Sequence, residues 1–129
     1  MIVLDTHVLV WLAAASERLG LAAREALSEG AELAISTISI QEIAYLVTSG
    51  RVGLDRPLKA WVADVLSAHD VRPIAPSVSV ALRAGALDDE AFPGDPADRL
   101  IYATAVEFDA QLATADARLR AADPARVAW

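Results

Sequence analysis

Hydrophobic residues form two kinds of pattern, one typical of strands and one typical of helices, and the two alternate along the chain. Short runs of apolar and β-branched residues predict strands at 2–4, 33–35, 71–74 and 111–114, with a short edge strand at 127–129. Apolar residues at three- and four-residue spacing predict helices at 7–14, 20–29, 38–49, 57–68, 78–87, 96–108 and 117–121. Residues 88–94 are mostly polar and contain Pro and Gly, which predicts a loop.

Strands that alternate with helices favour βαβ units, because parallel strands need a crossover connection between them. We therefore predict an α/β fold, a three-layer α/β/α sandwich with a central parallel sheet of about five strands and right-handed crossovers. A chain of 129 residues is the size of one domain, so we assign residues 1–129 to a single domain. In such sheets ligands bind beyond the carboxyl ends of the strands, which is where chemistry is expected.

Acidic residues lie at the strand-to-helix junctions of this arrangement. Asp5 and Asp116 follow predicted strands, and Glu42 and Asp98 lie in the first turns of predicted helices. Since the carboxyl ends of parallel strands share one edge of the sheet, all four acids can reach the same crevice. Ionised carboxylates this close repel one another by on the order of 4 kcal/mol per pair unless a cation neutralises them. A hard divalent cation held by oxygen, Mg²⁺ or Mn²⁺, is therefore predicted.

Helical spacing refines the placement of two of these acids. Glu42 shares a helix face with Tyr45, and Asp98 shares one with Ile101. Both faces carry further apolar residues, so we expect both to pack toward the core.

Each acid taken alone also fits a purely structural role. Asp5, Asp95 and Asp116 stand where helix N-caps are expected. Ser39 and Glu42 fit the S-x-x-E capping box. Both interpretations stay open for each residue, and only the convergence of the acids favours a metal site.

A carboxylate-held divalent ion suits phosphodiester hydrolysis, because it polarises the phosphate and lowers the pKa of an attacking water. Thr6 and Thr114 are candidates for orienting a ligand or a water, with local backbone hydrogen bonds as the alternative. His7 is a candidate for substrate contact or proton transfer. Arg99 and Arg118 are candidate contacts to substrate phosphates, with ion pairs or a solvated surface as the alternatives.

Composition sets further limits. The chain has no Cys, which excludes disulfides and thiolate metal sites. Its apolar start lacks the basic residues of a signal peptide, and no tract is long and uncharged enough to span a bilayer, so we expect a cytoplasmic protein without membrane attachment. The net charge of −7 argues against nucleic-acid binding. Two facts weaken that argument: all basic residues but one are Arg, which suits phosphate oxygens, and a metal site would concentrate the acids.

Four segments, in their order along the chain, resemble the motifs of the PIN-domain family in the form found in VapC-type toxins. They are Leu4-Asp5-Thr6, Ser39-Ile40-Gln41-Glu42, Gly94-Asp95-Pro96-Ala97-Asp98-Arg99 and Leu112-Ala113-Thr114-Ala115-Asp116. The third segment, with its D-P-x-D-R core, is the most specific, and the resemblance extends from residue 2 to about residue 118.

This resemblance implies a PIN-like fold and endonucleolytic cleavage of RNA that depends on Mg²⁺ or Mn²⁺. It places the metal-binding acids on Asp5, Glu42, Asp98 and Asp116, with Asp95 as a further acid of this subgroup. It also implies a homodimer and a cognate antitoxin protein that covers the active site.

Other folds with an acidic pocket fit the sequence less well. A receiver domain requires an acidic pair after the first strand and a late Lys, and a haloacid-dehalogenase-like phosphatase requires a second Asp where this chain has His7. A nucleotide-binding fold requires a Gly-rich turn after the first strand, and none is present. The remaining alternative is a PIN-like interaction module that acts mainly through antitoxin or operator binding, with little nuclease activity.

Overall fold

The protein is described by a computed structural model that covers residues 1–92 and 94–129. Within these residues five strands and seven helices follow one another as β1 (Ile2–Leu4), α1 (Thr6–Ala13), α2 (Leu21–Ser28), β2 (Leu33–Ser36), α3 (Thr37–Thr48), α4 (Leu58–Ala68), β3 (Val71–Ile74), α5 (Val78–Gly85), α6 (Pro96–Glu107), β4 (Gln111–Ala113), α7 (Ala117–Ala122) and β5 (Val127–Ala128). Every predicted element is present, with ends that differ by at most two residues. The predicted loop at 88–94 forms turns in its described part, and residue 93 lies outside the described residues.

The five strands form one parallel sheet in the order β3-β2-β1-β4-β5, which confirms the predicted fold class. Strand β1 is central: it pairs with β2 on one side and with β4 on the other. The chain moves outward from β1 to β3 and then returns to the other side of β1. This reversal opens a crevice beyond the carboxyl end of β1, where α/β sheets bind their ligands.

Side chains that alternate along β1 build the two layers of core. Ile2 and Leu4 are buried in the cluster shared with α1, α3 and α4, and Val3 is buried in the cluster shared with α6 and α7. The sheet is therefore covered on both faces, as a parallel sheet requires. No helix in residues 1–92 and 94–129 is long and apolar enough to cross a membrane.

Helix α3 corrects two of the sequence predictions. Its N-cap is Ser36, whose hydroxyl oxygen accepts a hydrogen bond from the Ile38 N–H at 3.3 Å, so Ser39 lies inside the helix and forms no capping box with Glu42. The face shared by Glu42 and Tyr45 was expected to pack into the core. Tyr45 is instead 62% exposed, because this face borders an open cavity between α3 and the start of α6.

Candidate functional site

Asp5 is placed at the crevice by the end of the central strand. Its backbone N–H continues the sheet by donating to the Ala113 carbonyl at 3.0 Å. One carboxylate oxygen caps α1 by accepting from the Thr6 N–H at 2.7 Å, and the other accepts from the Thr114 hydroxyl at 2.6 Å. The capping interpretation of Asp5 is therefore correct, and the same residue stands at the point where the sheet reverses.

Glu42 projects from the second turn of α3 and serves no capping role. Its carboxylate accepts a hydrogen bond from the hydroxyl of Thr6, which is only 2% exposed. Thr6 thus links Glu42 to the start of α1, and Thr114 links Asp5 to the end of β4. Each hydroxyl fixes the position of an acid from an adjoining element, a contact that neither threonine's position in the sequence indicates.

Asp95 and Asp98 begin helix α6 as a reciprocal capping box. The Asp95 carboxylate accepts from the Asp98 N–H at 2.9 Å, and the Asp98 carboxylate accepts from the Asp95 N–H at 3.3 Å. A β-carbon on Gly94 would lie 3.0 Å from the Asp98 β-carbon, a tight contact that glycine avoids where the chain passes close to the acid. Both acids have structural roles here, and both still line the crevice.

Asp116 caps helix α7 and holds an arginine of the same helix. Its carboxylate accepts from the Arg118 N–H at 2.8 Å, and an Arg118 guanidinium nitrogen lies 2.7 Å from the other carboxylate oxygen. That nitrogen is also 3.5 Å from the Asp98 carboxylate. Arg118 therefore supplies positive charge directly to two of the acids.

A single cleft is lined by Asp5, Glu42, Asp95, Asp98 and Asp116, which includes all four acids singled out from the sequence. His7 lines the same cleft from the first turn of α1, and Arg118 lines it from α7. Arg18 and Trp11 complete its wall. No sequence pattern singled out Arg18, because it lies in the turn after α1 and belongs to no motif.

Arg99 does not reach this cleft. Its guanidinium group, with a side chain 14% exposed, donates to the carbonyl oxygens of Leu87 at 2.8 Å, Phe92 at 3.1 Å and Gly94 at 3.2 Å, and it pairs with Asp89. Of the two interpretations left open for Arg99, the structure shows the ion pair, and the same guanidinium group holds the chain that precedes α6. One step along a helix turns a side chain by about 100°, which carries Arg99 away from the direction of Asp98.

The cleft carries more negative charge than its surroundings neutralise. Burial and the nearby Asp95 carboxylate raise the pKa of Asp98 from 3.8 to about 6. Burial also raises the pKa of Asp5 and of Glu42, and the hydrogen bonds from the two threonine hydroxyls only partly oppose this effect. Asp116 differs, because its hydrogen bonds with Arg118 lower its pKa. A cation entering the cleft would relieve this excess of charge.

The raised pKa of Asp98 predicts a specific dependence of stability on pH. Asp98 holds its proton more tightly in the folded protein than in the unfolded chain, which releases it near pH 3.8. This tighter proton binding stabilises the fold fully below that pH, and the stabilisation is lost as the pH rises through about 6. Asp98→Asn cannot ionise and avoids the loss. From about pH 4 to about pH 7 its free energy of unfolding should therefore rise relative to the unchanged protein, by on the order of 1–2 kcal/mol.

Denaturant melts of both proteins across this pH range, without metal, test the expectation. A difference between the two proteins that stays constant with pH would contradict it.

The acids are not yet arranged around a common point. Within residues 1–92 and 94–129, no three His, Asp or Glu side chains stand close enough together to hold a metal ion as placed. Asp5 and Glu42 are engaged by threonine hydroxyls, and Asp116 is engaged by Arg118. A divalent ion would have to draw these carboxylates from their present partners by side-chain rotation. The donor set, made entirely of carboxylate oxygens, is the type that Mg²⁺ and Mn²⁺ prefer.

Comparison with known proteins accounts for this combination of sheet and acids. The sequence model of one protein family, the PIN domain, matches residues 2–124 of this chain. The chain belongs to the PIN-domain family. The protein named Ribonuclease VapC22 of Mycobacterium tuberculosis (strain ATCC 25618 / H37Rv) is 44% identical over 119 residues, which cover 92% of this chain and 89% of that relative.

Solved structures share the fold of this PIN domain. A chain of a toxin–antitoxin complex from Klebsiella pneumoniae matches with a TM-score of 0.69 and 24% identity, covering 100% of this chain and 97% of that chain. A chain of VapBC2 from Rickettsia felis, bound to a DNA fragment from its promoter, matches with a TM-score of 0.70 and 21% identity, covering 98% and 97%. The arrangement of the PIN-domain sheet, which positions Asp5 at its central reversal, is thus common to these chains.

Proposed function

We propose that this PIN-domain protein is a metal-dependent endoribonuclease and the toxin of a toxin–antitoxin pair. One observation carries the proposal: five carboxylates from four separate parts of the chain line one cleft at the carboxyl edge of the sheet. The 44% identical relative is named a ribonuclease, which supports RNA as the substrate. The toxin–antitoxin complex among the solved structures supports an antitoxin protein as partner, and we expect it to cover this cleft.

Asp5, Glu42, Asp98 and Asp116 are the residues that would hold Mg²⁺ or Mn²⁺. Bound there, the ion supplies Lewis-acid polarisation of the phosphodiester and a water acidified for attack. The raised pKa values of Asp5, Glu42 and Asp98 fit this assignment, because buried carboxylates that repel one another gain most from a divalent cation.

The other residues of the cleft position the acids and the substrate. The Thr6 and Thr114 hydroxyls hold Glu42 and Asp5 in place. Arg18 and Arg118 stand on the cleft wall, where their positive charge favours the approach of RNA phosphates to the acids. His7 is exposed at the mouth of the cleft, where it can contact the strand.

The test is cleavage of structured and unstructured RNA by the purified protein. We expect cleavage with Mg²⁺ or Mn²⁺, loss of cleavage with EDTA, and loss of cleavage in the Asp98→Asn variant with the metal present. If the protein and the variant are equally inactive on every RNA although the metal binds, the acids do not form a nuclease site. A protein that acts through partner binding alone would then replace this proposal.

The assembly and the location of the protein belong to the same proposal. We expect a cytoplasmic homodimer. The exposed apolar side chains of Val78 and Leu82, 78% and 71% exposed on α5, offer surface for such a contact. The mass in solution, measured by light scattering on the protein alone, tests the dimer.

A further inference from the structure

Beside the acidic cleft lies a second cavity, of about 590 Å³, between α3 and the beginning of α6. His7, Glu42 and Asp95 line both spaces, so the cavity is continuous with the cleft. A strand of RNA that crosses the carboxylates therefore has this cavity immediately to one side. Its volume lies within the range typical of small-molecule sites, and it has room for one nucleotide.

The wall of the cavity carries an aromatic ring with a cation against it. Tyr45 lies three residues after Glu42 on α3, hence one turn further along the same face, at roughly 5 Å along the helix axis. Its side chain is 62% exposed, and the Arg51 guanidinium carbon stands 5.9 Å from the ring centre. A tyrosine exposed to this extent adds little to the core, so its ring is open to a ligand in the cavity.

The end of α3 fixes this arrangement. Gly50 adopts a φ of 75°, and its N–H donates to the Val47 carbonyl at 3.1 Å while the Arg51 N–H donates to the Leu46 carbonyl at 2.9 Å. These are the two hydrogen bonds of a Schellman motif, which turns the chain back along the helix it ends. The backbone of Arg51 is thereby placed beside the end of α3 that carries Tyr45, and its guanidinium carbon lies 5.9 Å from the ring centre.

The rest of the lining suits a flat heteroaromatic ligand. Ile38, Leu46, Pro96 and Leu100 give apolar surface, and the Gln41 amide on the same wall can both donate and accept. Unpaired nucleobases are recognised by stacking on aromatic rings or guanidinium planes, together with hydrogen bonds to their edges. Arg51 also adds positive charge for a strand that must approach an acidic cleft.

We infer that this cavity, the Tyr45 pocket, binds one unpaired nucleobase of the RNA strand next to the phosphate in the acidic cleft, and that this base stacks on Tyr45 beside Arg51. The inference rests on the proposed ribonuclease function and extends it: the protein selects single-stranded RNA, and the base in the Tyr45 pocket sets the position of the cut.

The molecule contains a matched control for this pocket. Phe108 has an arginine over its ring in nearly the same geometry, with the Arg72 guanidinium carbon 5.7 Å from the ring centre, and it is 41% exposed. Phe108 follows the C-terminal end of α6, whereas the cavity lies at the other end of that helix. An effect specific to the Tyr45 pocket must therefore be absent when Phe108 is changed.

The test uses short unstructured RNAs in which one base at a time is replaced by a fluorescent adenine analogue, bound to Asp98→Asn protein with Mg²⁺ so that the strand stays intact. We expect the fluorescence to be quenched at one position of the strand. Adding Tyr45→Leu should abolish that quenching and weaken RNA binding about 5- to 100-fold, the usual effect of losing one stacked base. Tyr45→Phe, which keeps the ring, should restore quenching, and Phe108→Leu should leave quenching and affinity as they were.

Quenching and affinity that survive Tyr45→Leu, or that fall equally in Phe108→Leu, overturn the inference. The first outcome would leave the cavity to a protein partner. In protein with all its acids intact, Tyr45→Leu should raise KM more than it lowers kcat and should spread the cuts over more positions. If Tyr45→Leu cleaves RNA with the KM and the cut sites of the unchanged protein, the inference about the Tyr45 pocket is overturned and the proposed function is not. If the unchanged protein shows no metal-dependent cleavage, the proposed function itself is overturned.

Discussion

Asp5→Asn should lower metal-dependent RNA cleavage by at least about 100-fold without destabilising the metal-free fold. Asparagine is also a good N-cap, so its side-chain oxygen can still accept from the Thr6 N–H. The Thr114 hydroxyl can rotate to accept from the new amide where it now donates to the carboxylate. The substitution therefore removes one charge and little else.

Two measurements separate the role of Asp5 as a cap from its role as a metal ligand. Titration calorimetry should show that Asp5→Asn binds Mn²⁺ more weakly than the unchanged protein. Denaturant melts without metal should show a free energy of unfolding equal to or above that of the unchanged protein. The reason is that burial raises the pKa of Asp5 and so disfavours its charged form. If the folded variant cleaves RNA as well as the unchanged protein does, Asp5 only caps α1 and is not a ligand of the proposed metal site.

Arg99→Met should cost about 2–4 kcal/mol of the free energy of unfolding, the largest loss expected from a single polar residue here. Methionine keeps much of the length of the side chain but donates no hydrogen bond, so the carbonyl oxygens of Leu87, Phe92 and Gly94 lose their common donor. Because the loop they belong to leads directly into Asp95 and Asp98, cleavage should fall as well.

Arg83→Met serves as the control for this loss. Arg83 is half exposed on α5 and its nearest acid, Glu107, is 3.9 Å away, so its removal should change the free energy of unfolding by no more than about 0.5 kcal/mol. Urea melts of the three proteins give the comparison. Equal small losses in both variants would mean that the loop keeps its shape without Arg99.

The sequence predicted the sheet and the meeting of the acids because both follow from local pattern and chain direction. Strands separated by helices favour parallel pairing, and parallel strands end at one edge, so Asp5 and Asp116 were expected at the same edge. The capping roles of Asp5, Asp95 and Asp116 were equally readable from the sequence, since an N-cap depends on its own helix alone. One residue can cap a helix and still contribute its charge to a cleft.

The surroundings that sequence reasoning did not predict depend on packing between distant elements. Tyr45 was assigned to the core because its helix face is apolar, yet the space opposite that face is the cavity between α3 and α6. For Arg99 the sequence left a phosphate contact and an ion pair with a neighbouring carboxylate open, and the guanidinium group pairs with Asp89 and donates to the carbonyl oxygens of Leu87 and Phe92. Neither the cavity nor the path of the loop leaves a periodic signal in the chain.

The cleft joins parts of the chain that are synthesised far apart in time. Asp5 and Thr114, which share a hydrogen bond, are separated by 109 positions, and β4 must pair with β1 before they can meet. A growing chain on the ribosome therefore presents Asp5 early and lacks Asp116 until most of the domain has been made. Through most of translation the nascent chain therefore has no assembled cleft, and the activity proposed for the cleft can begin only when the domain is nearly complete.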